Sequence, residues 1–131
     1  MPTWTALVTL LAVMFYFYTG LRVASARAKY RVRAPATTGH PDFERVFRVQ
    51  MNTLEWMPIF LPALWLFAVY VSDIAAAVIG LLWIGGRTIY LIDYEEAAAK
   101  RGRGFGIQTF ASAVLWIGAL AGIVTRIVLG S

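Results

Sequence analysis

Residues 41–56 read PDFERVFRVQMNTLEW, a run in which charged and amide side chains recur inside a long apolar stretch. At about 100° per residue, a helix places Arg45, Arg48, Asn52 and Glu55 within one arc of roughly 80°. An intramembrane charge costs at least about 2.5–3.5 kcal/mol at mid-bilayer, so such a stripe must face water, a partner or a polar interior. Gln50 points almost opposite to it. Within one chain Gln50 cannot join the same cavity; it can line the cavity of a neighbouring copy or make an interhelical hydrogen bond. A second cluster, RTIYLIDY over residues 87–94, puts Arg87, Tyr90 and Tyr94 on one face. Lys100, Arg101 and Arg103 follow it, and Arg27 lies near the end of the first apolar run. Taken singly, each has a plainer reading. Tyrosines anchor helices at membrane interfaces, arginines snorkel, loop cations set topology, and Arg45 can be solvated on a protruding helix end. Together they crowd one end of a small bundle. Several cationic donors, hydroxyls and amides face a single deep carboxylate, which suits a small, mostly anionic ligand with one ammonium for Glu55.

The elements that must hold these groups follow from composition. Of 131 residues, 60% are hydrophobic and 15% charged. Soluble domains average roughly 45–50% apolar and about 25% charged. The bilayer is therefore the expected solvent, and the length suits one domain, residues 1–131. The chain has no cysteine, which excludes a disulfide framework, a protein thiolate and a cysteine metal site. One histidine, His40, leaves no plausible metal constellation, so no metal is expected. Any thiol chemistry must arrive with a substrate.

Four apolar stretches predict four membrane helices, over about 3–23, 41–70, 74–98 and 105–129, in an all-α antiparallel bundle. The Ala24-Ser25-Ala26 triplet resembles a signal-peptidase site. No basic segment precedes the first run, and that run exceeds a signal core, so it is read as a retained helix. Residues 33–41, with two prolines and a glycine, predict a loop. Pro58 and Pro62 should bend the second helix, and the short turn at 71–73 makes helices two and three antiparallel neighbours. The basic, glycine-rich residues 100–104 predict a break before the last helix. Eleven of the twelve Lys and Arg residues lie in 22–48 and 87–103. That clustering signals topology rather than a nucleic-acid surface: basic loops in the cytoplasm, both termini on the opposite side.

The segment TTGHPDFERVFRVQMNTLEW, with its E-R-x-x-R-x-Q-x-N-x-x-E pattern, resembles the MAPEG family (membrane-associated proteins in eicosanoid and glutathione metabolism). So does R-x-x-Y-x-x-x-Y followed seven residues later by an arginine. The likeness covers nearly the whole chain and is nearest the microsomal glutathione S-transferase and cysteinyl-leukotriene synthase branches. It implies a homotrimer that uses glutathione as co-substrate, with Arg48, Asn52, Glu55, Tyr90 and Tyr94 at glutathione-binding positions. Arg27 and Gln50 match positions supplied by the adjacent subunit, and Arg101 matches the arginine that stabilises the glutathione thiolate. Two residues depart from the leukotriene-forming pattern. Trp56 replaces a ligand-contacting tyrosine, and Ala28 replaces a second arginine implicated in catalysis.

The implied activity is a membrane-bound transferase or peroxidase in which the glutathione thiolate attacks a lipophilic electrophile or hydroperoxide arriving from the bilayer. An alternative is a non-catalytic relative that binds lipid or a partner protein; the intact arginine, amide and tyrosine set argues against it, while Trp56 keeps it open. A small multidrug exporter fits poorly, because such carriers use a carboxylate deep in their first helix and none precedes Arg22 here.

Overall fold

The computed structural model describes residues 1–130, and these form four long helices. α1 spans Thr3–Tyr30, α2 Pro41–Tyr70, α3 Asp73–Glu96 and α4 Gly102–Leu129, with a 3-10 turn at Ala98–Lys100 before α4. All four are long and apolar enough to cross a membrane.

Side-chain contacts define the topology. Trp65, late in α2, donates from Nε1 to the Thr9 hydroxyl early in α1 at 2.9 Å, so these helices run antiparallel. At the 71–73 turn, Asp73 accepts from the amides of Trp4 and Thr5 at 3.2 and 2.9 Å. The carboxylate thereby satisfies two of the amides that every helix start leaves open, tying α1 to α3. At the other end Arg22 of α1 pairs with Glu95 of α3. The loop after α1 and the break after α3 therefore share one end of the bundle, as the charge pattern requires.

The buried core is assembled from α2 and α3 with one stripe each of α1 and α4, and it includes Val8, Ala12, Phe60, Leu64, Trp83, Ala111 and Leu115. Phe60 and Trp83 stack with ring centroids 4.0 Å apart. The outer faces of α1 and α4 are greasy and uncovered: Leu10, Met14 and Phe17 on one, Trp116, Ile117 and Leu120 on the other. Apolar surface of this extent belongs against lipid or another subunit.

The element boundaries differ from the sequence reading in two instructive ways. α1 runs a further two turns past Val23, because Ala24–Tyr30 are good helix formers and Arg27 and Lys29 suit a helix C-terminus. The apolar run marks the hydrocarbon crossing, not the helix end. The glycine-rich stretch is no breaker either. Gly102 and Gly104 lie inside α4, and the chain turns earlier, at Ala97–Arg101. At Gly104 a Cβ would come within 2.3 Å of the Tyr90 backbone nitrogen, and at Gly86 within 2.8 Å of the Gln108 nitrogen. These two glycines let α3 and α4 meet backbone to backbone. α2 continues as one helix through Pro58 and Pro62.

Candidate functional site

Tyr90 is the natural starting point. It is buried beside Val49 and Leu91, with Phe15, Tyr94 and Phe105 packed around that group. Because Gly104 brings α4 against the Tyr90 backbone, the start of α4 and its preceding turn close over the end of α3. That places Arg101, which precedes α4, beside the tyrosines. A hollow of about 550 Å³ results, lined by Arg48, Asn52, Tyr90, Tyr94, Arg101, Gly102 and Phe105. Arg48 and Asn52 come from α2, four residues apart on one face, as their spacing requires. The Tyr90 and Tyr94 rings lie 5.3 Å apart, and Phe105 approaches Tyr90 at 6.1 Å.

Five of the eight residues to which the family resemblance gives a site role thus share one hollow: Arg48, Asn52, Tyr90, Tyr94 and Arg101. Glu55 sits at its edge, 3.5 Å from Arg48 in an exposed pair. Arg101 is anchored by donating from Nη1 to the Ala98 carbonyl at 2.8 Å, which leaves its remaining donors free. Trp56 packs edge-on against Phe105 at 5.5 Å, forming an apolar wall with no hydroxyl.

Arg27 and Gln50 lie elsewhere in the chain. Arg27 donates to the Ala36 carbonyl at 2.8 Å and sits 5.0 Å over the Phe43 ring, bracing the loop between α1 and α2. Gln50 faces α1, its Nε2 lying 3.4 Å from where a Gly20 Cβ would stand. Arg45 also departs from the stripe. It pairs with Asp42 and donates to the Glu95 carbonyl at 3.2 Å, so it is neither plainly solvated nor part of the Arg48 hollow. It lines a second hollow with Arg22, Lys29, Asp42, Glu95 and Glu96. Wheel geometry ranks residues by angle alone, and the α3 terminus captures Arg45 one turn before the stripe reaches the tyrosines.

Arg87 is the residue whose part the sequence reading underweighted. Its Nη1 donates to Asn52 Oδ1 and its Nη2 to Thr53 Oγ1, both at 2.7 Å, and its guanidinium lies 4.3 Å over Tyr90. A charge three residues before the first tyrosine, in mid-helix, was the available signal. Phe105 and Gly102 carried no comparable mark. Among the described residues no group of His, Asp and Glu is arranged to hold a metal.

The arrangement is a cationic and hydroxyl-lined recess at the loop end of a helix bundle, next to an aromatic wall. The chain is 49% identical over 124 residues to the uncharacterised protein sll1147 of Synechocystis sp., covering 95% of this chain and 90% of that one. It is 42% identical over 118 residues to human microsomal glutathione S-transferase 2, covering 90% and 80% respectively. It is 43% identical over 96 residues to bovine leukotriene C4 synthase, covering 73% and 64%. The sequence profile of the MAPEG family matches residues 5–121, which with four membrane-length helices makes this chain an integral, multi-pass membrane protein belonging to the MAPEG family.

Proposed function

We propose that this protein is a glutathione-dependent transferase of the membrane, working on lipophilic electrophiles or hydroperoxides. The observation that carries the reading is the shared hollow of Arg48, Asn52, Tyr90, Tyr94 and Arg101. Its cations and hydroxyls suit the carboxylates of a tripeptide, and Glu55 at the edge suits its ammonium. Arg101 is the residue assigned to the sulfur. A free thiol with a pKa of about 8.5 is only a few per cent ionised at pH 7, and a fixed guanidinium favours the thiolate. The proton leaves to solvent, and the sulfur forms a bond to an electrophilic carbon whose displaced or ring-opened atom is protonated in turn. With a hydroperoxide, sulfur attacks the distal oxygen and the O–O bond breaks, leaving a glutathione sulfenic acid and, once protonated, an alcohol; a second glutathione then displaces water from the sulfenic acid to give the disulfide. The protein supplies no nucleophile; it supplies preorganised donors.

The same reading includes a homotrimer. Arg27 and Gln50, which lie apart from the Arg48 hollow of their own chain, are assigned to the hollow of an adjacent copy, and the lipophilic substrate enters from lipid between copies. The uncovered apolar faces of α1 and α4 support this assembly. The eleven clustered cations support basic loops in the cytoplasm and termini opposite.

Glutathione binding and thiolate absorbance, measured on the purified protein in detergent, test the proposal. Binding with thiolate formation is expected. Binding without ionisation at any pH below that of free glutathione removes the enzyme and leaves a second reading, a lipid- or partner-binding relative. The apolar Trp56–Phe105 wall, where a hydroxyl is missing, is the observation in its favour.

A further inference from the structure

Arg87 is 0% exposed, in the middle of a membrane-length helix. None of the ion pairs among the described residues involves it. Its polar contacts are two neutral oxygens, and its Nε has no partner. A buried charge normally has a counter-ion, since desolvation is costly and is offset by a nearby opposite charge. This one has none among the described residues.

The hydrogen-bond chain around it has a definite polarity. Thr53 donates its hydroxyl proton to the Val49 carbonyl at 2.7 Å, so towards Arg87 it can only accept. A guanidinium carries donors alone, so the atom that Asn52 presents to it must be the amide oxygen. The Asn52 nitrogen donates to no protein group among the described residues, and Asn52 lines the hollow. The amide is therefore locked as a donor towards whatever occupies that space.

We infer that Arg87 is a positioning residue of the hollow: it fixes Asn52 as an obligate donor and leaves a buried positive charge beneath the site, which the anionic end of the ligand neutralises. Resting on the glutathione reading, this assigns a direction of binding. The group against Asn52 is a carboxylate or the thiolate, and the ammonium lies away from it, on the Glu55 side.

The test uses Asn52→Asp in the full-length detergent-solubilised protein. Aspartate gives Arg87 its missing counter-ion and turns a donor into an acceptor. The apo thermal midpoint should rise while the glutathione Kd weakens by about tenfold or more. A merely structural contact does not move stability and affinity in opposite directions. Arg87→Gln and Asn52→Ala should each weaken binding, and the double variant should be no weaker than the worse single one. If Arg87→Gln does not fold, Asn52→Asp alone decides. Wild-type protein that takes up no glutathione overturns the parent reading and this one with it. Wild type that binds, with Asn52→Asp binding equally well or melting lower, overturns this inference alone.

Discussion

Two hollows open at the same end of the bundle, and both are rich in arginine. The one between α1, α2 and α3, about 500 Å³, holds Arg22, Lys29 and Arg45 together with Asp42, Glu95 and Glu96. Its charges answer one another: Arg22 pairs with Glu95 and Arg45 with Asp42. The other hollow holds Arg48 and Arg101 above the buried Arg87, and among the described residues only the exposed Glu55 at its rim carries negative charge. Residue type does not separate them; the presence of internal counter-ions does. The first is a clasp between helix ends. The second has a positive excess that an anion can satisfy.

Variants on each side sharpen or break that contrast. The largest effect should come from Gly104→Ala, which forces a Cβ to 2.3 Å from the Tyr90 nitrogen and pushes α4 off the tyrosines. Overpacking of this kind costs about 3 kcal/mol. The thermal midpoint should fall and glutathione binding should go with it; an unshifted midpoint would mean the helices are not in backbone contact. Next comes Arg101→Ala. Loss of its cation should move the pH midpoint of thiolate formation up by about two units, equivalent to about 2.7 kcal/mol, with affinity largely kept. A pH titration of thiolate absorbance reads this, and an unmoved midpoint removes Arg101 from the sulfur. Arg48→Ala should weaken the glutathione Kd about tenfold by loss of charge-assisted hydrogen bonds, and equilibrium binding that stays at the wild-type value takes Arg48 out of the site. The smallest effect belongs to the clasp. Glu95→Gln breaks a partly exposed pair and should lower stability by no more than about 1 kcal/mol, leaving affinity unchanged. If affinity falls as far as in Arg48→Ala, the two hollows are not independent.

The four helices were readable because each contains a run long enough to cross a bilayer, and the shared end was readable because its cations are confined to two stretches. The Arg48–Asn52 and Tyr90–Tyr94 pairs were readable because intrahelical spacing alone puts each on one face. What spacing cannot supply is the rotation of one helix against another. Arg45 lies on the same arc as Arg48, yet the end of α3 intercepts it. Arg87 looked like an interface anchor, and only the packing of α3 on α2 shows it fully enclosed. Gly104 looked like a chain breaker in a basic loop. Its actual service, as a bare backbone surface for Tyr90, depends on the neighbouring helix, which local sequence does not describe.

The Asp73 carboxylate on the first amides of α1 and the Glu95 carboxylate on Arg22 grip that helix at opposite extremities, both from α3. α1 is thereby a strut clamped to the same beam that carries the two tyrosines. A subunit docking on the outward Leu10, Met14 and Phe17 would find that surface in fixed alignment with Tyr90 and Tyr94. Assembly and pocket geometry then share one mechanical reference, and loosening either clamp should blur both together.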